Sequence, residues 1–160
     1  MEELILAILT ASLTIIGAVI IFIIKKIIEE YYINPYSNLK KNLIELKIFL
    51  NFNSNILTNK FYNKEILDEF RKNILNIQKE LRKIWSKLNV DYDICPKRIL
   101  LWKINIPSNE EMAKIETTLI YLSNIPLIKY EFIKEDGDNI LERIKRFDEI
   151  VKIITKYLTK

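Results

Sequence analysis

The stretch LILAILTASLTIIGAVIIFII, residues 4–24, is an unbroken run of uncharged residues that closes at Lys25 and Lys26. At about 1.5 Å rise per residue a helix of that length spans roughly 31 Å, close to a bilayer's hydrocarbon core of about 30 Å. A core helix of a 160-residue chain has no need to be apolar on every side, so the run reads as a transmembrane helix. Thr10, Ser12, Thr14 and Gly17 do not weaken that reading. Hydroxyls can return a hydrogen bond to their own helix, and glycine is ordinary in membrane spans. Thr10, Thr14, Gly17 and Ala18 fall at spacings of four, three and one. They either form a stripe along which a second helix can approach or simply dilute an Ile-rich segment, and there is no GxxxG pair to decide it.

A secretory signal would need a basic n-region, a shorter apolar core and a small-x-small cleavage site, and the stretch offers none of these. Glu2 and Glu3 precede the run, whereas Lys25, Lys26, Lys40 and Lys41 follow it. The positive-inside rule then predicts a single-pass protein of the cell membrane with its N-terminus outside and the rest cytoplasmic. The expected organisation is a transmembrane anchor and juxtamembrane helix over 1–32 and a cytoplasmic helical-bundle domain over 33–160. The expected fold class is all-α, an N-terminal transmembrane helix followed by a compact bundle of four main amphipathic helices.

Past the run, Ile27, Ile28, Tyr31 and Tyr32 carry the helix a turn or two beyond the membrane, with the tyrosines at the interface. Asn34-Pro35 is expected to stop it: Asn34 can cap a new helix and Pro35 suits the first helical position, giving a change of angle. In that new helix Leu39, Leu43, Leu46 and Leu50 mark an apolar face, widened by Ile44, Ile48 and Phe49, and ending near Leu57. TNKFYN, 58–63, reads as a loop with Asn63 as the next cap. Phe70, Ile74, Ile77, Leu81, Ile84 and Leu88 then alternate at four and three, an a/d seam. Opposite lie Arg71, Lys72, Lys79, Glu80, Arg82, Lys83 and Lys87, a largely basic outer face. A coiled-coil dimer or a membrane-surface helix could use such a segment. The leucine stripe one short loop upstream favours an antiparallel hairpin within one chain.

NVDYDICP breaks the period. The apolar stretch at 97–106, KRILLWKINI, reads first as a short buried helix, then as an interfacial patch in lipid headgroups, with an edge strand as the third option. Trp85 and Trp102 are expected to be core or interface anchors rather than ligand-stacking residues. Ser108-Asn109-Glu110-Glu111 is a capping box opening a helix that runs to about 124, with Met112, Ile115, Leu119 and Leu122 inward, and Pro126 forbids its continuation. Residues 127–134 read as a short strand or an extended loop that Gly137 ends. Asp138 is the expected cap of a last helix over 139–158, with Ile140, Ile144, Phe147, Val151, Ile154 and Leu158 as its inner line.

Composition excludes several chemistries. The chain has no histidine and one cysteine, Cys95, which rules out an intramolecular disulfide and leaves no basis for a zinc, haem or His-assisted nucleophilic site. Cys95 is expected to be a partly buried small apolar residue in a reducing compartment. With only Gly17 and Gly137, there is no glycine-rich phosphate cradle. All 25 Lys and Arg, but 19 of the 21 Asp and Glu, lie beyond residue 24, a net +6. That balance suits solubility or weak attraction to an anionic membrane face, and no dense basic cluster with interleaved aromatics argues for nucleic acid. Adjacent acids occur at Asp91 with Asp93 and at Glu110 with Glu111. Both have structural explanations, a polar loop and an acidic first helical turn.

The order of these signals resembles a family of small, uncharacterised single-pass membrane proteins of prokaryotes with a C-terminal helical domain. The residues that carry it are YINPYSNLKKNLIELKIFLNFNSNIL, EFRKNILNIQKELRKI, IPSNEEMAKIETTLIYLSNIP and NILERIKRFDEIVKI. IPSNEE and LIYLSN are the most distinctive, and the long LIKYEFIKEDGD connection departs from the pattern. The resemblance implies no catalytic residue. Catalytic, cofactor-binding and metal sites are therefore expected to be none, with no small-molecule substrate and no nucleic acid. The expected partners are the membrane lipid bilayer and either another protein or a homo-oligomer, reached through the faces of 65–88. A peripheral lipid or envelope role through the basic helix and the KRILLWK patch is the alternative.

Overall fold

The computed structural model describes residues 1–58, 67–99, 102–124 and 137–159. The chain is helical, with one long apolar helix at its N-terminus. Helix α1 covers Glu2–Ile28, and it leaves every one of its residues unburied by the rest of the chain. Its hydroxyls are satisfied within the helix: Thr10 Oγ1 donates to the Leu6 carbonyl at 2.9 Å, Ser12 Oγ to Ile8 at 2.8 Å and Thr14 Oγ1 to Thr10 at 2.8 Å. The polar interruptions thus present no free donor to the surroundings.

Helix α2, Asn34–Phe52, continues α1 through a single π-helical segment, Glu29–Ile33. The expected stop at Asn34-Pro35 does not occur. Asn34 has helical dihedrals of −64° and −48°, and its backbone N–H donates five residues back, to Glu29. Pro35 cannot donate to Tyr31, and its ring would crowd that carbonyl in a regular α-helix. The wider π turn just upstream accommodates the proline without ending the helix. The anchor-like segment and the first helix of the domain therefore form one continuous helical segment, Glu2–Phe52.

Leu39, Leu43, Leu46 and Leu50 are buried as their spacing predicts, but Ile44 and Ile48 are exposed and only Phe49 widens the inner face. Helix α2 also ends sooner than Leu57. Asn53, with dihedrals of −99° and 9°, donates from its side chain to the Phe49 carbonyl at 2.9 Å and closes the helix. A one-turn helix α3, Ser54–Thr58, then brings Leu57 into the core. Helix α4, Leu67–Ile94, buries Ile77, Leu81, Ile84 and Leu88, while Lys72, Lys79, Glu80, Arg82, Lys83 and Lys87 face solvent.

The stretch after α4 is not the short helix that its apolar content suggests. It forms a two-residue antiparallel pair, β1 Arg98–Ile99 with β2 Trp102–Lys103, in the register Arg98 opposite Lys103 and Ile99 opposite Trp102. The Ile104 N–H donates to the Lys97 carbonyl at 3.3 Å and extends this ribbon by one pair. Cys95-Pro96 explains the change of structure, because a proline biases the residue before it toward extended backbone.

Helix α5, Asn109–Ser123, opens with the predicted capping box: Ser108 Oγ accepts from the Glu111 N–H at 3.2 Å, and Glu111 Oε2 accepts from the Ser108 N–H at 2.9 Å. Met112, Ile115, Leu119 and Leu122 are buried as expected. Helix α6 is Gly137–Leu158, so Asp138 lies in its first turn rather than before it. Its buried residues are Arg143, Phe147, Ile150, Ile154 and Tyr157. Of the expected line, Phe147 and Ile154 are buried, Ile144 is exposed and Val151 and Leu158 are half-buried, their places taken by Arg143, Ile150 and Tyr157, while the side chain of Ile140 lies outside the described residues. A run with apolar residues at both 150–151 and 153–154 satisfies either face, and the Tyr157 hydroxyl selects between them by bonding to Glu111. The reading of 127–134 and the Asn63 cap lie outside the described residues.

Helix α2 packs against α4 and α6, α5 packs against the same two, and α3 adds to α6. One apolar cluster, with Leu46, Leu50, Leu81, Leu88, Ile115, Leu122, Ile150 and Ile154 at its centre, joins all of them. Burial of these side chains, at roughly 1.5–3 kcal/mol each, opposes the entropy of ordering the chain.

Candidate interaction surface

Specific polar contacts fix which way each helix runs. Asn42 Nδ2 donates to Asp91 Oδ2, and Lys87 Nζ lies 3.8 Å from Glu45. As the residue number rises on α2 it falls on α4, so the two are antiparallel. Tyr92 Oη and Lys97 Nζ both donate to Asn109 Oδ1, at 2.7 and 2.6 Å. Arg82 Nη2 reaches Asn124 Oδ1 at 3.5 Å, which makes α5 antiparallel to α4.

The start of α5 meets the end of α6. Glu111 accepts from Lys156 Nζ at 2.8 Å and from Tyr157 Oη at 2.6 Å, in addition to the Ser108 N–H. Burial opposes ionisation of Glu111, but the bonds from Lys156, the Ser108 backbone and Tyr157 outweigh it and hold the carboxyl at about 2. Lys156 is shifted up by its bonds to Glu111 and Tyr157, and the Tyr157 phenol is raised by burial and by the Glu111 bond. Every polar group of this cluster is spoken for. Its chemistry is that of a clamp between two helix ends, not of an acid or base poised for transfer.

The remaining candidate groups are also engaged or isolated. Asp91 accepts from Asn42, Glu110 lies 3.9 Å from Lys114, and Asp93 is exposed, so the adjacent acids do not converge. Cys95 is buried, and burial followed by the charge of Asp91 pushes its thiol up. Among the described residues no group of His, Cys, Asp or Glu is arranged to hold a metal ion.

The described surface includes unpartnered apolar area, and two stretches of it lie on the continuous N-terminal helix. The first is α1, where Leu4, Leu6, Leu13, Ile15, Ile21 and Phe22 are each about two-thirds exposed. Soluble monomers rarely leave contiguous apolar patches beyond a few hundred Å² uncovered. The second is a stripe on the back of α2, where Ile44, Ile48 and Phe52 follow one another at four-residue steps and are 42, 63 and 86% exposed. The spacing of these residues on α2 was legible in the sequence, but their side was not. By contrast, of the apolar face of 65–88, expected to be available to a partner, the described residues Ile77, Leu81, Ile84 and Leu88 are covered by the chain's own α2 and α5. Its basic face is partly neutralised, with Lys83 3.8 Å from Glu80 and Lys87 3.8 Å from Glu45.

Comparison of the chain with known protein families, with curated proteins and with solved structures finds no match.

Proposed function

We propose that this is a non-enzymatic, single-pass membrane protein whose helical domain is held at the cytoplasmic face and binds a protein partner or a second copy of itself. The observation that carries the reading is the continuity of α1 with α2: a fully uncovered apolar helix runs without a break into a helix that the domain's core is built on. In this reading α2, α4, α5 and α6 are an up-and-down four-helix bundle standing on its anchor. Confinement to a membrane raises effective concentration and aligns copies in one orientation, so a modest stripe such as Ile44, Ile48 and Phe52 suffices for binding.

The lipid-facing alternative through the basic helix finds less support. Helix α4 packs antiparallel to α2, and α2 is continuous with the anchor, so in this reading the Lys72 and Lys79 end of α4 lies at the end of the domain away from the anchor. A helix lying in the interface would need the opposite posture.

The test uses the intact chain in native membranes, with a photo-crosslinking residue at position 48 and at the exposed position 113 on α5 as a comparison. The expected result is a discrete adduct from position 48 that is lost when Phe52 is changed to Glu. Monomer at every protein density, with no adduct from either position, would count against protein binding.

A further inference from the structure

The charges beside the exposed stripe of α2 have a sign pattern that selects its occupant. With Ile44 and Ile48 at the apolar d and a places of a helix pair, Lys40 takes a g place and Glu45 the e place that follows it. In a parallel pair, g of one helix meets the following e of the other, so Lys40 of one copy faces Glu45 of a second, and two-fold symmetry makes that contact twice. The next such pair sets Lys47 against the exposed ring of Phe52, a cation beside an aromatic face. In an antiparallel pair like places meet, and Lys40 would face Lys47. Glu45 is open to a second cation: its side chain is 45% exposed, and at 3.8 Å its contact with Lys87 is longer than a hydrogen bond.

Lys41 and Asn51, at the neighbouring a and d places, close the apolar seam of α2 at either end. Three side chains fall short of the roughly 800 Å² per partner of a standard interface. Helix α1 extends the same face, and the π-helical segment is what aligns it. A turn closed by a bond five residues back holds one residue more than an α turn. Ile44 follows Ala7 by 37 residues, and Ile48 follows Ala11 by 37. With one residue absorbed in the turn at Glu29–Ile33, each pair is about ten turns of 3.6 residues apart and lies on one side of the continuous helix. An unbroken α-helix would leave the pairs about 100° apart. That side of α1 carries a shallow groove lined by Ala7, Thr10, Ala11 and Thr14, whose two hydroxyls are already bonded within the helix. Small side chains there let a second helix approach closely in lipid.

We propose that the occupant of the α2 stripe is a second copy of this chain, packed in parallel so that Ile44, Ile48 and Phe52 meet their own counterparts and Lys40 pairs with Glu45 of the second copy. The Ala7 and Ala11 side of α1 continues the seam within the bilayer. This rests on the reading of α1 as a membrane span, since two copies anchored by the same helix share one orientation, the parallel one that the charges favour. Each exposed ion pair contributes about twofold to association. Reversing Lys40 turns two attractions into two repulsions, so Lys40→Glu should weaken pairing by roughly tenfold.

The experiment uses the full chain in sealed vesicles, in a Cys95→Ala background, with one cysteine at a time. Ile48→Cys and Ala11→Cys lie on the seam, Ile20→Cys lies nine residues and half a turn around α1 from Ala11, and Ala113→Cys lies on the exposed side of α5. Oxidation by copper phenanthroline links a position to its own counterpart only where the two Cα atoms come within about 7 Å. The expected result is a linked dimer from Ile48→Cys and from Ala11→Cys, and none from Ile20→Cys or Ala113→Cys. Adding Lys40→Glu to Ile48→Cys should raise the protein-to-lipid ratio needed for half-linking about tenfold, and Lys40→Glu/Glu45→Lys should restore it. Circular dichroism confirms that each variant is folded.

A link at Ile48→Cys accompanied by one at Ile20→Cys instead of Ala11→Cys overturns the shared face, and a Lys40→Glu chain that pairs as well as its parent overturns the parallel contact. No link at Ile48→Cys overturns self-pairing. A photo-adduct from position 48 to a different protein then keeps the anchored, partner-binding reading, whereas release of the chain by carbonate removes that reading and the pairing together.

Discussion

Replacing Glu111 by Gln and by Ala separates two contributions that meet at one carboxylate. Gln keeps the shape and can still accept from the Ser108 N–H, so the capping box survives and only the charge is lost. Ala removes both. With the folded carboxyl at about 2 against an ordinary 4.5, the shift corresponds to at most about 3 kcal/mol. Glu111 is 21% exposed and its Lys156 partner faces solvent. Screening at such a site reduces the worth of the charge to about 1 kcal/mol. Losing the cap as well adds about 1 kcal/mol, so we expect penalties of about 1 for Glu111→Gln and about 2 for Glu111→Ala near pH 7. Because the folded pKa is depressed, the charge contribution is fully present above about 4.5 and disappears as the pH falls through about 2. The assay is urea unfolding of the detergent-solubilised full chain, followed by circular dichroism near pH 7 and again near pH 3. The Gln penalty should fall by half or more at the lower pH, while the additional Ala penalty stays. A Gln variant as stable as the parent at pH 7, or a penalty that does not change with pH, would refute the clamp.

Two further outcomes follow from burial. Leu88→Ala, at a side chain with no exposure, should cost about 2–5 kcal/mol, whereas Ile48→Ala, at 63% exposure, should change stability by less than about 0.5 kcal/mol in the same unfolding assay. The Cys95 thiol is buried and its ionisation suppressed by burial and Asp91. It should react with a maleimide at least about tenfold more slowly in the folded chain than in urea at the same pH.

The parts of the fold that were legible in the sequence are those where pattern and packing coincide. Leu39, Leu43, Leu46 and Leu50, the α4 seam from Ile77 to Leu88, and the four inner residues of α5 all lie where their spacing puts them. The capping box at Ser108 was readable because it is a local arrangement of side chain and backbone. What escaped depended on partners far away in sequence. Proline chemistry predicts a break at Asn34-Pro35, and the π turn, a device without a clear sequence mark, carries the helix through it. The side of α6 that faces inward is settled by Glu111, 46 residues from Tyr157. KRILLWK is apolar enough for a helix, yet Pro96 upstream leads it into a ribbon. For the candidate surface, the apolar face of α4 was visible but already claimed by α2, while Ile44 and Ile48 looked like core and are outside it.

Single-cysteine accessibility in sealed vesicles, in a Cys95→Ala background, bears directly on whether α1 is solvated by lipid. Thr14→Cys, at the middle of α1, should resist a membrane-impermeant maleimide from both sides, and Ile48→Cys should react from the cytoplasmic side alone. Labelling of Thr14→Cys in the folded protein as fast as Ile48→Cys would place α1 in water and contradict the anchored helix on which the proposed function depends.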